Sequence, residues 1–140
     1  MTPRNSNITP EQQALVRYRL EMAQAVLADA QLLLRQGGSL WSVINRAYYT
    51  MFYATTALLL AIGQGAAKHS GVIALFDKHF VKSGQFPMEM SQWLHKAFEL
   101  RQRSDYRDMY PLDKEHAKIL VEWAEQFVAR IKDFLDISLQ

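Results

Sequence analysis

Cysteine is absent from the 140 residues, which excludes a disulfide framework and any thiolate nucleophile or ligand and suits a cytoplasmic protein. An excess of one charge is missing too. Sixteen basic and fourteen acidic residues leave a formal +2, too little to draw a polyanion to the whole molecule. Any contact with nucleic acid must therefore be a local patch. A convincing membrane span is also lacking. The nearest approach is residues 47–63, seventeen uncharged positions that include three tyrosines and three threonines. That length is at the bottom of the spanning range, so the stretch reads as a buried core helix and no membrane association is expected. Residues 1–8 lack the basic-then-apolar order of a signal peptide and are expected to be a flexible leader. The remainder, 9–140, has the length of one domain with a real core.

Glycine and proline are few, six and four, and most of them fall between segments of helical periodicity. "TPEQ" at the start offers an N-cap threonine, proline at the first helical position and glutamine at the third, which predicts a capping box and a first helix over 9–36. Gly37 and Gly38 end it. Ser39 opens a second helix, closed by Gly63 and Gly65, in which Trp41, Ile44, Tyr48, Met51, Thr55 and Leu58 mark the buried face. A short third helix is predicted over 70–83, stopped by Gly84. A fourth runs from Pro87 to a break at Pro111, burying Leu94, Ala97 and Leu100. Asp113 caps a fifth, whose stripe includes Ala117, Leu120, Phe127, Ile131 and Leu135. With no alternating strand pattern, the fold class is all-α: an antiparallel up-and-down bundle of four long helices plus one short helix.

No internal repeat, phosphate-cradling glycine loop or zinc spacing occurs. The histidines, at 69, 79, 95 and 116, are scattered and have no partner carboxylates at ligand spacing, so neither a metal site nor a cofactor is expected.

Two polar features remain. On the second helix Arg46, Tyr49 and Tyr53 recur at steps of three and four. Such a stripe can hold a phosphate and stack a base, or it can pack at a subunit interface with its hydroxyls wet and Arg46 paired to an acid. On the fourth, "FELRQRSDYRDMYP" places Arg101 and Asp105, and Arg103 and Arg107, four apart, with His95, Glu99, Gln102 and Tyr106 along one side. A charge-rich helix end can be a solvated face whose cations complement the helix dipole, or an anion site.

The ordered combination of "NRAYYTMFYATTALLLAIG", "KHSGVIALFDKHFVKSGQF" and "LRQRSDY" resembles the prokaryotic HEPN family, the higher eukaryotes and prokaryotes nucleotide-binding domain, over residues 14–134. The resemblance implies a small helical bundle, a homodimer, a small nucleotidyltransferase encoded nearby as partner, and nucleotide or RNA as ligand. Some members are toxins that cut RNA without metal, using an arginine, four to six intervening residues, a histidine and often a tyrosine two further on. In that chemistry the arginine holds the scissile phosphate and the histidine moves a proton. This sequence departs from the pattern: with four residues intervening, Arg101 is followed by Tyr106 and Arg103 by Asp108, and Tyr110 stands two beyond Asp108. A phenol titrating near 10 or a carboxylate near 4 is a poor substitute for imidazole. The resemblance nominates Arg46, Tyr49, Arg101, Arg103, Asp105 and Tyr106 as a nucleotide or RNA site at a dimer cleft. If cleavage occurs, Arg101 would act with His95 as an unorthodox proton carrier. If neither binding nor cleavage occurs, the bundle serves only as an assembly partner. Related systems are neutralised by adenylylation of the motif tyrosine, which nominates Tyr110 and, less directly, Tyr106.

Overall fold

A computed structural model describes residues 8–104, 106 and 111–138. Among them the chain forms α1 (Pro10–Arg35), α2 (Leu40–Leu60), α3 (His69–Phe76) continued by a π-helical turn (Asp77–Val81), α4 (Met88–Arg103) and α5 (Lys114–Ser138), with no strand. This is the expected all-helical bundle of four long helices and one short one.

The helix ends follow their local chemistry. Thr9 accepts the Gln12 N–H at 3.1 Å while the Gln12 side chain accepts the Thr9 N–H at 2.8 Å, so two donors at the start of α1 satisfy each other's ends of the box. Gly37 takes φ 74°, and Gly38 N–H returns to Leu33 O at 2.8 Å. That closure needs the left-handed backbone glycine adopts at low cost. Asp113 accepts the His116 N–H at 2.9 Å at the start of α5. Ile8, expected in the leader, is instead buried, because an apolar side chain directly before the cap can fold back onto the bundle.

The largely apolar α2, whose one charged residue is Arg46, is the centre of the fold and packs against α1, α4 and α5. Tyr48, Met51 and Leu58 on it are fully buried, each contributing on the order of 1.5–3 kcal/mol by leaving water. Two fully buried threonines sit among them, and their hydroxyls donate to carbonyls one turn back, Thr50 to Arg46 O at 2.9 Å and Thr55 to Met51 O at 2.8 Å. Their polar groups are thereby satisfied inside the core. No helix among the described residues is long and apolar enough to cross a membrane.

Two boundaries differ from the sequence expectation. The third helix does not run as one α-helix over 70–83. It begins at His69, and after Phe76 it widens, with Lys82 N–H reaching back five residues to Asp77 O at 2.9 Å. The wide turn keeps both Phe76 and Phe80 inward, where Phe76 meets Phe127 at 5.5 Å and Phe80 meets Phe134 at 5.8 Å. The fourth helix starts after Pro87, which occupies the cap position, and closes at Arg103 rather than at Pro111. There the Ser104 N–H bonds Arg101 O three residues back, a tightening that ends the α-helical ladder.

Candidate functional site

The packing of α4 on α2 sets the first contact of the site. Arg101, in the last turn of α4, donates from Nη2 to the Tyr49 hydroxyl at 3.1 Å. Its guanidinium carbon also lies 5.7 Å from the centre of the same ring. One tyrosine therefore fixes the arginine twice, by a hydrogen bond and by its π face. Because Tyr49 takes up only part of the fork, the remaining N–H groups stay available for an anion.

Behind Tyr49 lies Tyr48, fully buried. Burial pushes its phenol upward, as does the neighbouring Tyr49, while the Arg101 charge pulls the other way. The hydroxyl thus stays protonated, and it lies 2.8 Å from His69 Nδ1. His69, the first residue of α3, stacks on Phe52 with ring centres 4.1 Å apart. Burial lowers its pKa and the Arg101 charge lowers it further, so at neutral pH the imidazole is uncharged. The Tyr48 contact occupies Nδ1 and leaves Nε2 as the ring's other polar edge. A guanidinium, a phenol and a neutral imidazole are thus brought together from α4, α2 and α3.

The sequence nominates a different histidine, His95. His95 pairs instead with Asp77 at 2.7 Å, tying α4 to the π-helical turn. The histidine electrostatically coupled to Arg101 is His69, whose signal in the sequence was the "KHSGV" turn. Arg103 forms an ion pair with Glu99, which Lys96 also approaches at 3.8 Å. Exposed Arg46 lines a cavity of about 300 Å³ with Trp41, Asn45 and Ser104, close to the end of α4. Tyr53 packs its ring 5.6 Å from that of Tyr49. Tyr106 is 61% exposed. Asp105 and Tyr110, with Arg107 and Asp108, lie outside the described residues.

A family model described as the HEPN domain matches residues 16–134. The chain belongs to the HEPN family. A "UPF0332 protein" of Thermotoga maritima is 36% identical to this HEPN chain over 126 residues, 90% of this chain and 95% of that one. Two proteins of Methanocaldococcus jannaschii are similar as well. "Putative toxin MJ0142" is 30% identical over 126 residues, covering 86% of this chain and 85% of its own. Its counterpart MJ0605, named in the same words, is 35% identical over 131 residues, covering 94% and 93%.

Proposed function

We propose that this HEPN chain is the nucleotide- or RNA-binding subunit of a toxin–antitoxin-like pair, acting in the cytoplasm as a homodimer alongside a small nucleotidyltransferase. The observation that carries the reading is Arg101, held against Tyr49 by hydrogen bond and ring face with part of its fork unused. The names of the two archaeal relatives support the toxin–antitoxin setting. In a chain of net charge +2, two such sites facing one dimer cleft would supply the local positive field that the whole molecule lacks.

One observation favours a second reading, a metal-independent endoribonuclease. His69 is neutral and electrostatically coupled to Arg101. A phosphate bound at Arg101 would offset the smaller of the two causes that depress its pKa and raise that pKa back toward neutral pH, where the imidazole could take the proton of a ribose 2′-hydroxyl. In this reading His69 takes the role that the sequence had suggested for His95.

The test is Arg101→Ala, followed by fluorescence anisotropy with a labelled single-stranded RNA hexamer at low salt. The variant should fold, since it loses one partly exposed hydrogen bond worth about 1 kcal/mol, and should bind about tenfold or more weakly, as expected for a lost charge-assisted contact. Equal binding by both proteins would leave the bundle as an assembly partner without a nucleic-acid role. RNA fragmentation in chelator that is abolished by His69→Gln and retained by His95→Gln would select the endoribonuclease.

A further inference from the structure

A cavity of about 570 Å³ opens between α1, α2 and the loop that follows α2, within the range of small-molecule pockets, roughly 300–1,000 Å³. Phe52, Tyr53 and Tyr18 give it aromatic walls, and Arg19, Gln64 and His69 give it polar groups. No carboxylate is among its lining residues. Tyr18 is 58% exposed, so one wall is an aromatic face presented to solvent. Arg19 makes one long hydrogen bond, from Nη1 to Thr56 O at 3.5 Å, and no carboxylate lies within ion-pair distance of it among the described residues. Gly63, at φ 71°, turns the chain so that residues 64–67 form the rim.

His69 connects this cavity with the Arg101 site. It lines the cavity, its ring lies 5.8 Å from the ring of Tyr49, and Tyr49 in turn holds Arg101. The steps are 5.8 Å from the His69 ring to the Tyr49 ring and 5.7 Å from there to the Arg101 guanidinium carbon, so a phosphate on Arg101 and a planar group in the cavity fall within reach of one nucleotide strand. We propose that this cavity is a nucleobase pocket, which receives the base of the nucleotide whose phosphate Arg101 binds. The proposal rests on the reading of Arg101 as a phosphate site and deepens it.

The chemistry of the lining selects the class of ligand. A bare anion would have no use for three aromatic walls, and an aliphatic ligand would make no use of the polar groups of Gln64, His69 and Arg19. A base satisfies both sets, stacking on a ring while its edge meets the amide of Gln64, which both donates and accepts.

Gly65 provides a test that leaves the core alone. It lines the cavity, its backbone is outside the left-handed region, and a Cβ built on it meets nothing within 4 Å. Gly65→Leu should therefore fill the pocket without strain, and Gly65→Ala should leave it open. The probes are rA6, rC6 and rU6, compared by anisotropy with an abasic ribose-phosphate hexamer of equal charge. Wild type is expected to bind at least one base-bearing hexamer about tenfold more tightly than the abasic one, the scale of one base–aromatic stack. Gly65→Leu and Tyr18→Ala should remove that preference and leave abasic binding unchanged, while Gly65→Ala retains it. Arg101→Ala should weaken binding of both kinds of hexamer. Equal binding of abasic and base-bearing hexamers by wild type, or a preference that survives both pocket variants, would overturn the nucleobase pocket. A preference lost in the pocket variants but unchanged by Arg101→Ala would keep the pocket and remove the phosphate site.

Discussion

Phe52 and His69 stack with ring centres 4.1 Å apart and planes 22° from parallel. The stack holds the imidazole by one face while Tyr48 holds it by Nδ1, leaving the ring little freedom to turn. One histidine consequently borders both Arg101 and the cavity of about 570 Å³, and its protonation should be visible in both stability and binding.

The first prediction follows from that protonation. His69 in the folded protein has a pKa below the ordinary 6.5, through burial and then through Arg101. Above about pH 6.5 the ring is neutral whether the chain is folded or not. As pH falls from there through the lower folded value, the unfolded chain takes up the proton first, and stability is lost. Urea unfolding between pH 7.5 and 5 should show this slope in wild type, and a smaller one in His69→Gln. Identical slopes would mean that the folded environment does not disfavour the imidazolium.

Tyr48→Phe isolates the hydroxyl. The ring is fully buried, and its volume is nearly unchanged by the substitution, so the loss is the hydrogen bond to His69 and the stranding of Nδ1. Denaturant unfolding is expected to show about 0.5–1.5 kcal/mol less stability. A neutral result would show that the 2.8 Å contact adds nothing beyond what water provides.

Much of the bundle was legible because helix ends are decided within four residues of chain. The Thr9–Gln12 box, the Gly37 exit and the Asp113 cap all act over that range. The wide turn at Asp77–Val81 was not legible. A 3.6-residue period continues through Phe76 and Phe80 in the sequence, and it is packing on Phe127 and Phe134 of α5 that selects the extra residue in the turn. Arg101 and Tyr49 could each be nominated from charge and spacing, although they pair across a sequence separation of 52. His69 stood in the sequence only within the "KHSGV" stretch, where nothing local sets it apart from the other histidines. Its partners Tyr48, Phe52 and Arg101 come from two other helices.

A third prediction concerns assembly. Exposed Arg46 and half-buried Tyr49 and Tyr53 on α2, with Arg101 and Tyr106 at the end of α4, put more aromatic and arginine surface on one side than a monomer would need to leave wet. Tyrosine and arginine are enriched where subunits meet. Light scattering at micromolar concentration should give twice the mass of one chain, and Arg46→Glu should shift the equilibrium toward monomer, since a two-fold axis places the substituted charge in the interface twice. A monomer mass for wild type would remove the dimer cleft from the functional reading.

The last prediction is that a nucleotidyltransferase encoded beside this chain adenylylates a tyrosine just beyond α4. Tyr110 and Tyr106 both follow the arginine pair in sequence. Tyr110 lies outside the described residues, whereas Tyr106 is 61% exposed, so an enzyme can reach its phenol without unfolding the bundle. The modification replaces a neutral hydroxyl with a phosphodiester, and a new negative charge a few residues along the chain from Arg101 and Arg103 could be held by them through charge-assisted hydrogen bonds. For Arg103 this means competing with Glu99, its present partner. The tethered nucleotide would then occupy the same anion site that free RNA needs, which makes the modification inhibitory by occupancy rather than by distortion. Mass spectrometry of the protein co-expressed with the neighbouring enzyme should find the adenylyl adduct on one of these two tyrosines, and the modified protein should bind the RNA hexamer more weakly than the unmodified one. An adduct on neither residue, with the enzyme shown to be active on another substrate, would end the idea. An adduct that left RNA binding unchanged would place the modified tyrosine outside the site.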